Sequence, residues 1–242
     1  MKPQHYQLDH YAAQAKKLQY RSRAAFKLLE LHHMLKLFKP GMKVLDLGAA
    51  PGSWSQVAYD LTLPNGLIFG LDILPIQPYK NIIFIQEDIN KIDYTKLLHI
   101  AQSQQSTITN TSLQHSMHSQ QTTASPILMP NLSQHTRLTF DIVLCDICPN
   151  KTGNSTIDSN SMHQINLKTI EIAQAALTHN GSLIMKIFQD SHTTYLTNLL
   201  SSLFIKTKLI KPNASRKISS EIYYYAQGLK TTTQSQNTPP QL

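Results

Sequence analysis

A lysine and four aspartates stand out for the chemistry they could do. Lys186 sits inside an apolar run, Leu183-Ile184-Met185-Lys186-Ile187-Phe188, where packing gives no reason to bury a costly ammonium. Desolvation favours the neutral amine, so a lysine placed there is a candidate base. Asp46, Asp72, Asp88 and Asp146 each lie at or just past the end of a short apolar run. The first run leads into Gly48-Ala49-Ala50-Pro51-Gly52, a glycine-rich turn opening a helix, which is the layout of a nucleotide-type site. The spacing Gly48-x-x-x-Gly52 is not the three-glycine dinucleotide fingerprint, and no Lys-Ser/Thr pair makes a phosphate-binding P-loop. Gly52 allows close backbone approach to a ligand, and Pro51 stiffens the turn. Asp72 is placed to accept from ribose hydroxyls, the role of the acid ending the second strand in such sites. A nucleoside cofactor beside a lysine base is the chemistry these residues suit.

The elements that must position them alternate. Apolar runs at 43–47, 67–71, 82–85, 140–145 and 181–188 predict five strands, and two more fall near 207–210 and 222–226. Helical spacing covers 11–39, ended by Pro40-Gly41, then 54–61 with Ser53 as its cap, 165–179 and 195–203. Strands alternating with helices predict an α/β fold: a Rossmann-like, seven-stranded and mostly parallel sheet with helices on both faces. Ligands bind beyond the carboxyl ends of such strands, the rim to which the four aspartates belong. One domain is expected over 1–230, with a basic helical N-terminal extension (1–40) and a flexible tail (231–242). Residues 101–136 contain no Asp, Glu, Lys or Arg, and 20 of the 36 are Gln, Ser or Thr. Such a segment buries too little apolar surface to offset its ordering cost, so it reads as a disordered insertion between the third and fourth strands.

Lys plus Arg number 22 against 14 Asp plus Glu, a net charge of +8. Residues 1–43 hold nine of the basic side chains and two acids, and Lys206, Lys208, Lys211, Arg216 and Lys217 form a second cluster without an acid. On a chain only 15% charged, two acid-poor clusters indicate a polyanionic partner, most simply a nucleic-acid backbone. No run of about 18 apolar residues predicts a membrane span, and the opening Met1-Lys2-Pro3-Gln4-His5-Tyr6 has no apolar stretch for a secretory leader. Two cysteines cannot form a disulfide framework, which fits a reducing cytoplasm. Cys145-Asp146-Ile147-Cys148 has the form of a zinc half-site but lacks a second pair, and none of the eleven histidines has ligand spacing, so no metal is expected.

Several multi-residue stretches carry a resemblance. Tyr20-Arg21-Ser22-Arg23-Ala24-Ala25-Phe26-Lys27-Leu28 is followed by Val44-Leu45-Asp46-Leu47-Gly48-Ala49-Ala50-Pro51-Gly52-Ser53-Trp54-Ser55-Gln56. Then come Asp146-x-x-Pro149-Asn150-x-x-Gly153, Lys186-Ile187-Phe188-Gln189 and Ser215-Arg216-x-x-Ser219-x-Glu221-Ile222-Tyr223. In this order they resemble the FtsJ-like RNA 2′-O-ribose methyltransferases, above all the bacterial heat-shock branch acting on a uridine of large-subunit ribosomal RNA. The resemblance covers roughly 9–100 and 137–230. It implies S-adenosylmethionine bound on a Rossmann-like sheet, and a catalytic set falling on Lys27, Asp146, Lys186 and Glu221. For the cofactor it implies Gly52 and Trp54 in the loop, Asp72 at the ribose, Asp88 on the adenine side and Asp146 beside the sulfonium.

The implied reaction is an in-line displacement with a neutral thioether leaving, which needs no metal to stabilise it. A positioned base contributes about 10²–10⁴-fold, and alignment supplies much of the rest. Lys186 would be that base, with burial and Lys27 favouring its neutral form and Asp146 orienting it; Glu221 would orient the ribose or Lys27. An assembled large ribosomal subunit is the expected substrate and a monomer the expected state. A transfer-RNA methyltransferase and a non-catalytic ribosome-assembly factor are the alternatives. Three departures stand out: Ser53 where a second glycine is common, Asp190 where glycine is usual, and the 101–136 insertion. Asp190 places a negative charge near the expected RNA rim.

Overall fold

The computed structural model describes residues 10–93, 95–97, 99–100, 138–215 and 219–230. The predicted insertion over 101–136 and the tail from 231 lie outside the described residues, as do Arg216 and Lys217 of the second basic cluster.

Seven strands form one sheet in the order β3-β2-β1-β4-β5-β7-β6. They are β1 (Lys43–Leu47), β2 (Leu67–Asp72), β3 (Ile83–Gln86), β4 (Phe140–Cys145), β5 (Leu177–Phe188), β6 (Phe204–Ile210) and β7 (Glu221–Leu229). The first five pair in parallel, and β7 runs antiparallel to both β5 and β6. The helices are α1 (His10–Lys17), α2 (Ala24–Leu35), α3 (Ser53–Thr62), α4 (Ser155–Ala176) and α5 (Thr193–Leu203). No described helix is long and apolar enough to cross a membrane.

Alternation along each strand divides the core into two layers. Leu45, Leu47, Val143, Cys145, Leu183, Met185 and Ile187 pack with α4 and α5. Val44, Ile68, Ile142, Leu144, Ile184 and Tyr223 pack with Ala25, Leu28 and Leu31 of α2 and with Trp54, Val57 and Ala58 of α3. Lys186 is two residues from Ile184, so its side chain falls on the α2–α3 face. From β1 the chain builds outward through β2 and β3, then crosses to add β4 on the other side of β1. The order of strands therefore reverses between β1 and β4, where open α/β sheets bind their ligands.

Three helix limits differ from the expected ones. The predicted 11–39 helix is two, α1 and α2, separated by a break in which Gln19 takes a positive φ of 60°. The helix expected over 165–179 starts ten residues earlier, because the Asn154 side chain accepts from the backbone N–H of Thr156 (3.0 Å) and Ile157 (3.2 Å). That is an N-cap, and it supplies partners to amides that a first turn leaves unpaired. The cap of α3 is Gly52 and not Ser53. The Ser53 hydroxyl is buried against that of Ser22 at 2.7 Å and serves the α2–α3 junction instead.

Candidate active site

The ends of β1, β4, β5 and β7 meet at the strand-order reversal. Asp146, the first residue past β4, receives the Lys186 ammonium twice, on Oδ1 at 3.1 Å and on its backbone carbonyl at 2.6 Å. Lys186 is 3% exposed. Tyr223 stands opposite it in the β5–β7 register and donates its hydroxyl to Asp146 Oδ1 at 2.8 Å. Two residues along β7, Glu221 opposes Phe188. Its Oε1 takes an ion pair from Lys27 of α2 at 2.6 Å and a hydrogen bond from Ser215 Oγ at 2.9 Å. The Lys27 ammonium lies 5.9 Å from the centre of the Tyr223 ring. Lys27, Asp146, Lys186 and Glu221 thus form one cluster, with Tyr223 at its centre.

Its electrostatics differ from expectation. Burial pushes the Lys186 pKa down, but Asp146, Cys148 and Glu221, with the hydrogen bond to Asp146, outweigh it and the net shift is upward. Lys186 is therefore an ammonium in the resting protein, not the neutral amine expected from its apolar sequence. Nor does Lys27 work against that charge, because it is bound to Glu221. Burial pushes Glu221 up, yet its bond and charge contact with Lys27 and the Ser215 hydroxyl hold it below the usual carboxylate range. Burial, followed by the charges of Asp146 and Glu221, raises Tyr223 well above the ordinary phenol.

The loop after β1 is built around two acids. Asp46 is fully buried on the α3 side of the sheet and accepts from Ser55 Oγ at 2.6 Å. Burial raises its pKa to about 7, the Ser55 hydrogen bond opposing and the charges of Asp146 and Asp72 adding. Its Oδ1 has no partner among the described residues. Asp72, at the end of β2, accepts from the Ala50 N–H and the Leu74 N–H, both at 2.9 Å, and so pins the glycine-rich turn to the second strand. Asp88 accepts from the Asn90 backbone at 2.9 Å and caps the short 3₁₀ turn Ile89–Lys91. An ionised carboxylate has about four acceptor sites, so both acids retain capacity for a ligand. Gly48 and Gly52 have φ of +74° and +106°, which only glycine adopts without strain.

Two residues that carried expectations have side chains held by contacts of their own. Trp54 was expected at the cofactor rim. Its ring is 3% exposed, packs 5.6 Å from that of Tyr223, and donates its indole N–H to the Ala24 carbonyl at 2.8 Å. The side chain is a core strut between α3 and α2, since a large amphipathic ring is best held where its N–H finds a partner. Asp190, expected as a stray charge on the rim, accepts from Ser159 Oγ at 2.6 Å and from the His192 N–H at 2.9 Å. Both oxygens are occupied in shaping the turn before α5. Cys145 is buried, its thiol raised to about 11 chiefly by burial, whereas Cys148 is exposed. Tyr223 and Arg21 had no role assigned from sequence. Tyr223 is two residues from Glu221 on a strand and must share its face, a signal that periodicity alone could have supplied.

Residues 20–229 match the FtsJ-like methyltransferase family. The chain belongs to that family. It is 38% identical over 219 residues to the ribosomal RNA large subunit methyltransferase E of Coxiella burnetii (strain CbuK_Q154), covering 90% of this chain and 89% of the relative. The protein of the same name from Psychrobacter cryohalolentis is 36% identical, over 90% and 88% of the two chains. Among solved structures, a ribosomal RNA methyltransferase from Plasmodium falciparum superposes with a TM-score of 0.67 at 26% identity, covering 87% of this chain and 98% of that one. The protein is an FtsJ-like methyltransferase with the α/β sheet of that fold, and the Lys27–Asp146–Lys186–Glu221 cluster sits at its strand-order reversal.

Proposed function

We propose that this FtsJ-like methyltransferase transfers a methyl group from S-adenosylmethionine to the 2′-hydroxyl of a uridine ribose in large-subunit ribosomal RNA. The reading takes the assembled subunit as substrate and a cytoplasmic monomer as the working form. The observation that carries it is a buried lysine held by a strand-end aspartate beside a second ion pair, at the rim where an α/β sheet binds its ligands. The names of its relatives support ribosomal RNA over transfer RNA.

The residues at the end of β1 fit the cofactor. Among the described residues Asp46 leaves a buried oxygen without a partner, and Gly48 and Gly52 put no side chain of their own on the loop. Gly52 and Asp72 would hold the loop-side and ribose portions, Asp88 the adenine side and Asp146 the sulfonium end. When bound, S-adenosylmethionine supplies an activated methyl on a cationic sulfur.

Lys186 accepts the proton of the ribose hydroxyl, and Asp146 and Tyr223 hold its amine in place. Because Asp146 and Glu221 keep Lys186 protonated at rest, it must shed a proton before it can accept one. The Lys27–Glu221 pair positions the ribose. In the β6–β7 register Lys208 opposes Tyr225 and Lys206 opposes Gln227, which puts both lysines on the sheet face that carries Tyr223 and Lys186. Exposed there, they grip the RNA backbone together with the basic N-terminal helices.

The test is label transfer from S-adenosylmethionine to intact large subunits, free ribosomal RNA and transfer RNA, with wild type and Lys186→Ala. Incorporation into large subunits alone, lost in the variant, is expected. Label in transfer RNA alone would replace the substrate, and cofactor binding without any transfer would favour an assembly factor.

A further inference from the structure

We infer that Arg21 is a positioning residue for the cofactor, strapping the loop after β1 to the loop after β2 so that the two segments carrying Gly52 and Asp72 keep a fixed separation. This rests on the proposed use of S-adenosylmethionine.

The guanidinium donates from Nη1 to the Pro51 carbonyl and from Nη2 to the Pro78 carbonyl, both at 2.9 Å. These acceptors belong to different loops, and the fork adds a second tie beyond the Ala50 N–H bond to Asp72, farther along both segments. A planar fork reaches two carbonyls at once, as a single ammonium on a flexible stem does not. The cation also lies 5.5 Å from the centre of the Tyr79 ring, in the loop after β2, and 5.8 Å from that of Phe84 in β3. Its backbone is held in turn. The Arg21 N–H donates to Gln56 Oε1 at 2.9 Å, and Gln56 Nε2 donates back to the Gln19 carbonyl at 3.2 Å.

The strap adds to the reason for glycine at position 52, whose φ of +106° already favours it. A Cβ there would lie 2.5 Å from Arg21 Nη1, so the space above Gly52 is taken by this side chain. Arg21 precedes α2, whose start is fastened to that of α3 by the Ser22–Ser53 hydroxyl contact and by the Trp54 bond to Ala24. Lys27 is the fourth residue of α2, so its placement rests on those two contacts and not on the Arg21 guanidinium.

Arg21→Lys and Arg21→Gln test this, with S-adenosylmethionine titrated by calorimetry and with separate KM values for cofactor and RNA. Loss of the two charge-assisted hydrogen bonds puts the fall in cofactor affinity at roughly tenfold or more for Gln and about threefold to tenfold for Lys. The expected pattern is a raised cofactor KM, with kcat at saturating cofactor, RNA KM and the melting temperature of the cofactor-free protein nearly unchanged. Unaltered cofactor affinity in both variants would overturn the strap. So would a raised RNA KM alone, which marks an RNA contact, or a fall in melting temperature with every kinetic parameter worsening together, which marks a fold staple. Wild-type protein that binds no S-adenosylmethionine overturns the cofactor reading itself, and the strap with it.

Discussion

Tyr223 and Lys186 face each other across the β5–β7 pair and meet on one atom, Asp146 Oδ1. The phenol donates to the carboxylate that holds the ammonium, so the three side chains act as one unit. A neutral donor on Asp146 tempers its pull on Lys186.

Tyr223→Phe is expected to keep the fold, since the ring stays, but to leave Asp146 bound more strongly to Lys186. The lysine then holds its proton more tightly. The rate at neutral pH falls about tenfold, the value of one hydrogen bond to a charged group at roughly 1.5 kcal/mol or more. A pH–rate profile checks the cause, because its rising limb moves to higher pH. An unmoved limb would leave Tyr223 a packing residue.

Lys186→Arg is expected to fail as completely as Lys186→Ala, with losses of about 10²–10⁴-fold. Charge is retained, but guanidinium does not give up its proton in proteins. In the proposed mechanism the base is the neutral amine of Lys186, whose pKa is raised. Activity therefore climbs with pH through and beyond neutrality. Transfer by the arginine variant at near wild-type rate would remove proton abstraction from the role of Lys186.

Asp46 makes the stability of the cofactor-free protein depend on pH. Its folded pKa, about 7, lies above the ordinary carboxylate value. The neutral acid is the form the fold favours, so this contribution is fully present below pH 4 and is lost as pH rises toward and through 7. Asp46→Asn cannot ionise and escapes the loss. Denaturant titrations at several pH values are expected to show wild type falling relative to the variant over that window, by an amount on the order of a few kcal/mol.

Trp54→Phe separates packing from ligand contact. The half-buried Ala24 carbonyl loses the indole donor, a cost of about 0.5–1.5 kcal/mol for one hydrogen bond. Cofactor affinity is expected to change less than about twofold, below the worth of a single hydrogen bond. A large loss of affinity with stability intact would return the ring to the cofactor rim.

The strands along the chain and the rim were legible because they are local or periodic properties, whereas Lys27 and Glu221 entered the cluster only through the resemblance to the family. A run such as Phe140-Asp141-Ile142-Val143-Leu144-Cys145 reads as a buried strand, and the acid just past it, Asp146, emerges at the rim, whereas Asp46 lies within its strand and is buried. The start of α4 was not legible, since Asn154 caps through a side-chain bond while the helix carries few apolar residues in its first turns. The packing of the Trp54 ring against Tyr223 and its bond to Ala24 were not legible, because both partners are distant in sequence.

By itself the amino-acid order determined an α/β sheet, a loop shaped for a nucleoside cofactor, and which lysines and carboxylates were available. Burial pattern and turn chemistry act over a few residues, so they can be read along the chain. Only the tertiary structure decided which charges meet. Lys27 pairs with Glu221 and Lys186 with Asp146 across long separations in sequence, and whether an amine is charged depends on the balance of desolvation against those partners, which exists only once they are brought together.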